Sequence, residues 1–254
     1  MKAGVTAHVS LACWPGLRHV QAAQRLAHDI SDPLFGTLST AHVQLVPQSF
    51  GVLTEAVADS LFVAFPQVRF RLHANVRVLA THRVADLSGY RSHAEWFCQA
   101  ARISRRLGAP AYTAHSGSRS ESTLGEMLDN ARRCADLFEC PVGVEGQYPA
   151  TGNPWWVSSW AEYRQLFESG VPYAIDLSHI RILAARSGIR DDALLQEMLA
   201  CERCIEVHVS DNDGQGDWHQ VCVQPTWWFP LLHHINPKAV VFSEGNHRRK
   251  RATP

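Results

Sequence analysis

Six consecutive apolar runs of this sequence are each followed by side chains that can bind metal. Each run has the length of a buried strand, with a histidine or carboxylate at or just beyond its end. A buried imidazole or carboxylate is costly unless it is paired or bound to a metal, so a regular series of them indicates one shared site. Histidine, Asp and Glu without thiolates suit zinc, manganese or iron. The nine candidate ligands are His73, His115, Glu145, Asp176, His179, His208, Asp217, His219 and Glu244.

The size of this set bears on the number of ions. Nine ligands are too many for one ion, so the sequence predicts a centre of two or three ions. Four of the nine are carboxylates, whose charges need cations to balance them. A lone histidine after a strand is more often a hydrogen-bonded core residue, and Glu145 alone is equally well explained by a salt bridge. The prediction therefore depends on the series and not on any one member.

Apolar runs alternate with longer amphipathic stretches along the whole chain. This alternation indicates a parallel sheet, and eight units in 254 residues predict a (β/α)8 TIM barrel with its active site at the carboxyl ends of the strands. An open doubly wound sheet is the alternative, although no G-x-G-x-x-G motif follows any strand. The predicted strands are residues 4–9, 43–46, 68–72, 111–113, 142–144, 173–175, 205–209 and 239–242, and the predicted helices are 93–107, 124–138, 159–168 and 191–200.

Composition narrows the class of protein. A length of 254 residues with 46% hydrophobic side chains fits one metal-binding domain over residues 1–254, with a basic, frayed tail from about 247. Lys plus Arg equals Asp plus Glu at 24 each, which argues against a nucleic-acid partner. The absence of a long apolar run predicts no membrane segment. Seven scattered cysteines, an odd number, favour reduced thiols and a cytoplasmic location.

The ligand set resembles that of the xylose-isomerase-like superfamily of metal-dependent barrels, which includes sugar isomerases and endonuclease IV. Those proteins share a Glu, Asp, His, Glu set on their late strands, which corresponds here to Glu145, Asp176, His208 and Glu244. Endonuclease IV adds two early histidines, a D-x-x-H segment and a D-x-H segment. The resemblance therefore implies a trinuclear site completed by His73, His115, His179, Asp217 and His219.

A second resemblance, over the whole chain, is to the multinuclear non-haem iron-dependent oxidative enzymes of the methanobactin-biosynthesis iron subunit type. Segment 43–50 (VQLVPQSF) resembles their V-x-P-E-N-Y segment, 144–148 (VEGQY) their E-N-x-S-Y segment, and 217–223 (DWHQVCV) their D-x-H-x-x-V segment. The chain departs from that family at Gly146, where Asn is usual, and at 176–179 (DLSH), where D-x-N-N is usual. This resemblance implies iron as the favoured metal, with zinc or manganese as alternatives, and oxidation of a peptide or small natural product, with a separate peptide-recognition protein.

Several reactions remain open for such a centre. Iron-dependent oxidation uses open coordination positions for O₂ and substrate. Phosphodiester hydrolysis of the endonuclease IV kind uses the metals to activate water. Isomerisation or epimerisation of a sugar or sugar phosphate needs one metal and leaves the early histidines without a role. A non-enzymatic binding protein is the remaining alternative. A local basic patch that would favour nucleic acid, or else form a solvated face, consists of Arg69, Arg71, Arg77 and Arg83.

Residues close to the ligands are candidates for substrate contact. We expect Asn75, Tyr148 and Trp218 to contact a small-molecule or peptide substrate. His8 and His42 lie on or near early strands and are expected to be structural. No general base is assigned, because every candidate is also a candidate ligand. Histidines expected on loops or helices without metal are His82, His93, His233, His234 and His247.

Overall fold

Eight parallel strands close into a barrel, as the alternation of the sequence predicts. The computed structural model describes residues 4–81 and 83–248. Around the barrel the strands follow the order β1-β8-β7-β6-β5-β4-β3-β2, and β2 pairs with β1 to close the ring. The strands are β1 (Ala7–Ser10), β2 (Ser39–Leu45), β3 (Arg69–Leu72), β4 (Tyr112–His115), β5 (Val142–Glu145), β6 (Tyr173–Asp176), β7 (Cys204–Val209) and β8 (Val240–Ser243).

Helices fill most of the intervals between strands, and the four predicted ones are present. Thr123 shows why α4 begins where it does: its hydroxyl accepts from the Glu126 N–H, and the Glu126 side chain accepts from the Thr123 N–H. A short antiparallel hairpin joins Ser31–Asp32 to Gly36–Thr37. The helices are α1 (His19–Gln24), α2 (Glu55–Ala64), α3 (Ala94–Arg106), α4 (Leu124–Phe138), α5 (Trp160–Glu168), α6 (Leu177–Ser187) and α7 (Asp192–Ala200).

Helix α6 is absent from the sequence prediction. It begins directly after β6, because one carboxylate oxygen of Asp176 accepts hydrogen bonds from the backbone N–H groups of Ser178 and His179. This N-cap turns the chain at the end of the strand and points the first helical turn into the barrel mouth. His179 is therefore the third residue of a helix and is buried, not part of an open loop.

Strand register brings the predicted ligands side by side. His115 at the end of β4 lies opposite Glu145 at the end of β5. Asp176 at the end of β6 lies opposite His208 on β7. Within the described residues, no helix has both the length and the apolar character that crossing a membrane requires. His82 and the basic residues 249–254 lie outside the described part of the chain.

Candidate metal centre

The nine predicted ligands converge at the carboxyl ends of the strands. Seven of them form three overlapping groups, in each of which one ligand atom per residue lies within 4.8 Å of the others. His73, His115 and Glu145 make the first group, with the Glu145 Oε2 atom 3.5 Å from His73 Nδ1 and 3.9 Å from His115 Nε2. This spacing lets three side chains from adjacent strands bind one ion.

The second group shares His73 with the first and adds His208 and Glu244. His208 is fully buried, and its Nδ1 atom lies 3.7 Å from Glu244 Oε1 and 3.5 Å from Glu145 Oε1. The His73 and His208 rings stand edge to face with centroids 5.0 Å apart. Glu145 thus lies beside the histidines of both groups.

The third group consists of Glu145, Asp176 and His179. The His179 Nδ1–H donates to the Gly146 carbonyl at 2.8 Å, which turns Nε2 toward Asp176 and Asp217, each 3.6 Å away. A side chain at Gly146 would disturb this arrangement, because a Cβ atom there would meet the Tyr163 ring at 2.3 Å.

Asp217 and His219 extend the third group toward the mouth of the barrel. Asp217 Oδ2 lies 3.0 Å from His219 Nε2, and the Ser178 hydroxyl donates to the other Asp217 oxygen at 3.0 Å. His219 Nδ1 in turn lies 3.7 Å from Glu244 Oε2. This contact closes a ring of ligands from the third group back to the second.

Unpartnered atoms show that the set fits a metal. Within the described part of the chain, five buried atoms of this set have no hydrogen-bond partner, although such atoms are rarely left unpaired. Both imidazole nitrogens and carboxylate oxygens are among them, which is the donor chemistry of a zinc, manganese or iron site. The atoms are His73 Nδ1, Glu145 Oε2, His208 Nδ1, His219 Nδ1 and Glu244 Oε1.

Burial and the neighbouring charges shift the pKa values of the side chains in this cluster. Burial opposes the charged form of His208, but Glu244 and Glu145 raise its pKa well above the usual value. The pKa of His219 rises to about 9 because the hydrogen bond and charge of Asp217 outweigh burial. Burial raises the pKa of Glu244 to about 7, and burial lowers that of His73 to about 3. The metal-free centre therefore holds protons where cations would be.

Supporting residues that sequence reasoning missed hold the ligands in place. Asp86 Oδ1 lies 3.3 Å from His115 Nδ1, and the Asn75 amide donates to the same oxygen at 2.8 Å. Glu206 Oε2 lies 3.1 Å from His208 Nε2. Glu206 was detectable in principle, because residues two apart on a strand share one face. Asp86 carried no such signal, since it reaches His115 from a separate loop.

Eight of the nine candidate ligands, all but His208, line a cavity of about 220 Å³ at the barrel mouth. Pro47 and three neutral polar side chains complete its wall: Gln48, Gln147 and Tyr148, of which Tyr148 packs against His179 with ring centroids 4.8 Å apart. Asn75 is buried, and its amide is bonded to Asp86 and the Ala85 N–H. Trp218 is not among the described residues that line the cavity, and its indole N–H donates to Asp213. Of the three expected substrate contacts, the structure therefore brings only Tyr148 to the cavity wall.

His8, His42 and Arg71 are not among the described residues that line this cavity. His8 and His42 pack edge to face, with ring centroids 5.1 Å apart. Arg71 is buried inside the barrel, where its Nη1 atom lies 2.9 Å from Glu206 Oε1. Arg71 consequently does not belong to an exposed basic patch, and the four arginines proposed for one are not a single surface feature.

Solved structures similar to this chain share its barrel. A D-tagatose 3-epimerase-like protein matches with a TM-score of 0.64 and 14% identity, covering 96% of this chain and 92% of its own. AP endonuclease, family 2, from Brucella melitensis matches with a TM-score of 0.62 and 17% identity, covering 96% of this chain and 94% of its own. The IOLI protein with a bound zinc atom matches with a TM-score of 0.61 and 12% identity, covering 94% of this chain and 88% of its own. No protein-family model and no curated protein matches the chain.

These neighbours are xylose isomerase-like TIM-barrel proteins, and this chain has their fold. The comparisons give no support to the narrower resemblance to the methanobactin iron subunit. They support neither iron, nor an oxidoreductase class, nor a multinuclear centre. The candidate ligand groups and a zinc-containing neighbour are consistent with a metal site whose ions are not identified.

Proposed function

We propose that this chain is a metal-dependent hydrolase that cleaves small phosphate esters at a centre of two or three ions. The observation that carries the proposal is the overlap of three ligand groups through His73 and Glu145. A single-metal site needs about four ligands, whereas nine converge here. A multi-ion centre uses all of them, and ions held about 3.5–4 Å apart are typical of phosphate-ester hydrolysis.

Charge balance favours an anionic substrate. Four carboxylates lie around the cavity: Glu145, Asp176, Asp217 and Glu244. Two divalent ions would neutralise them, and a third would leave a net charge of about +2 at the cavity mouth. Among the described lining residues there is no Lys or Arg. The ions would therefore be the partners of a phosphoryl group, and the rest of the substrate would be uncharged.

The cavity wall suits a small substrate. When bound, divalent ions neutralise phosphoryl oxygens and acidify a water molecule. Gln48, Gln147 and Tyr148 present neutral donors and acceptors for hydroxyl groups of the substrate. In this proposal the Tyr148 hydroxyl would donate a hydrogen bond to the leaving oxygen. A cavity of about 220 Å³ and a formal net charge of zero both argue against a duplex nucleic acid.

A second candidate is epimerisation of a small neutral sugar. Glu145 Oε1 and Glu244 Oε1 lie 3.5 and 3.7 Å from His208 Nδ1, which places two carboxylates beside one potential metal ligand. A pair of carboxylates is suited to removing and returning a proton. This reaction requires only one ion, so the number of bound ions separates it from hydrolysis.

The test combines metal counting with a paired assay. Apo protein would be reconstituted separately with Zn²⁺, Mn²⁺ and Fe²⁺, and bound metal counted per chain. Each form would then be assayed with bis(p-nitrophenyl) phosphate, p-nitrophenyl phosphate and a panel of ketoses. We expect two or three ions per chain and nitrophenolate release that rises as the second ion binds. One ion with ketose conversion would replace this proposal with the epimerase, and iron-dependent O₂ consumption would replace both.

A further inference from the structure

A charged pair lies directly beneath the candidate metal centre, inside the barrel. Glu206 precedes His208 by two residues on β7, so both side chains point to the same face of the strand. Arg71 lies on β3, two residues before His73, which directly follows the end of that strand. Glu206 is fully buried, and Arg71 is 6% exposed. The pair spans the barrel and joins a strand of the first ligand group to a strand of the second.

Glu206 uses its two oxygens for different partners. Oε1 accepts a hydrogen bond from Arg71 Nη1 at 2.9 Å, and Oε2 lies 3.1 Å from His208 Nε2. A carboxylate held by an arginine can only accept, so the proton between Glu206 and His208 belongs to Nε2. Gln44 also lies 3.1 Å from Nε2, but an amide offers either a donor or an acceptor. The carboxylate therefore decides the tautomer.

The consequence appears on the other side of the imidazole ring. With its proton on Nε2, a neutral His208 keeps the lone pair of Nδ1 free. That atom is buried, has no hydrogen-bond partner among the described residues, and faces Glu145 and Glu244. We propose that Glu206, anchored by Arg71, is a positioning residue that orients His208 so that Nδ1 binds a metal ion. This inference rests on the metal centre of the proposed function but not on the reaction catalysed there.

Stability is a poor alternative explanation for the pair. Replacing a buried ion pair with apolar residues of similar size is often neutral or stabilising, because burying two charges offsets their attraction. Removing one partner alone would strand the other charge and could unfold the barrel. The informative variants therefore replace both residues together.

The experiment compares two double variants that differ in one feature. Arg71→Met with Glu206→Leu removes the charges and the hydrogen-bond acceptor for His208. Arg71→Met with Glu206→Gln removes the charges but keeps an acceptor. Metal affinity would be measured by Zn²⁺ competition with a chelator, and folding by the thermal melt of each apo protein. We expect both variants to melt cooperatively, the Leu variant to lose affinity by about 10- to 100-fold, and the Gln variant to recover most of it.

The outcomes are separable. Equal Zn²⁺ affinity in the two variants would overturn the positioning role, even if both hydrolyse phosphate esters normally. A difference in affinity without any phosphate-ester hydrolysis by the wild type would sustain the positioning role and reject the proposed reaction. A wild type that binds no Zn²⁺, Mn²⁺ or Fe²⁺ would overturn both.

Discussion

Two layers of inward-facing polar side chains lie one above the other in this barrel, and they differ in charge. The upper layer is the candidate metal centre. Four carboxylates line its cavity, and the described lining residues include no Lys or Arg. The lower layer is built around the Arg71–Glu206 pair, in which each charge has a partner. On β3 and β7 the two layers are only two residues apart. The lower layer comprises His8, His42, Arg71 and Glu206.

Two histidines of the upper layer have pKa values shifted in the opposite direction from those of the lower layer. In the lower layer, burial and the charge of Arg71 lower the pKa of His8 and of His42 to about 4. In the upper layer, burial is outweighed by carboxylates, and the pKa values of His208 and His219 are raised. His73, also in the upper layer, keeps a pKa that burial lowers to about 3. The contrast between the layers therefore holds for His208 and His219 and not for every histidine.

The largest effect is expected from Glu145→Gln. Glu145 contributes to two of the three ligand groups, so its loss should remove at least one ion and weaken another. We expect Zn²⁺ affinity to fall more than about 100-fold, beyond the cost of losing a supporting residue, and phosphate-ester hydrolysis to disappear. Metal analysis after dialysis measures this. Glu202→Gln is the control, because Glu202 pairs with Lys238 on the surface.

Single histidine variants should sharpen the contrast between the layers. We expect His73→Ala and His219→Ala each to lower the bound metal by about one ion, because each removes a ligand from a multi-ion set. His42→Gln, in the lower layer, should leave the metal count unchanged. The measurement is metal per chain on reconstituted, desalted protein. A full metal complement in both upper-layer variants would contradict the multi-ion centre.

The barrel could be predicted because its periodicity is local. Each strand is an apolar run, and the helices from Leu124 and from Trp160 carry Ser or Thr caps that mark their starts. The ligand set could be proposed because parallel strands end at one face, so position along the chain translates into position in space. Helix α6 was not predicted because Asp176 was interpreted only as a metal ligand, whereas it is also the N-cap of this helix.

Contacts between distant segments could not be predicted. No residue near Arg71 in the sequence predicts its ion pair with Glu206, which is 135 positions away in the chain. Asn75 was expected to bind substrate, but its backbone adopts a φ of 61° and its amide turns toward Asp86. The indole N–H of Trp218 likewise donates to Asp213 within one loop, a contact that no periodic pattern in the sequence predicts.

The smallest effect we predict is a pH profile of the metal-free protein. Lower-layer His8 and His42, with pKa values of about 4, stay neutral when folded but take up protons near pH 6.5 when unfolded. Their contribution to stability is complete above pH 6.5 and is lost as the pH falls toward 4. His219 behaves oppositely, since its folded pKa is about 9. Its contribution is complete below pH 6.5 and is lost as the pH rises to 9.

The combined contribution of these three histidines to the stability of the apo protein should therefore be largest near pH 6.5 and decline on both sides. Bound metal displaces the proton from His219, so adding Zn²⁺ should raise the melting temperature by an amount that grows from pH 6.5 to 9. Thermal melts at half-unit pH steps, with and without Zn²⁺, measure both curves. His219→Gln should reduce the decline on the alkaline side, to which His208 also contributes. His42→Gln should reduce the decline on the acidic side, to which His73 also contributes. A decline on the acidic side caused by His219→Gln would mean that the two layers do not titrate separately.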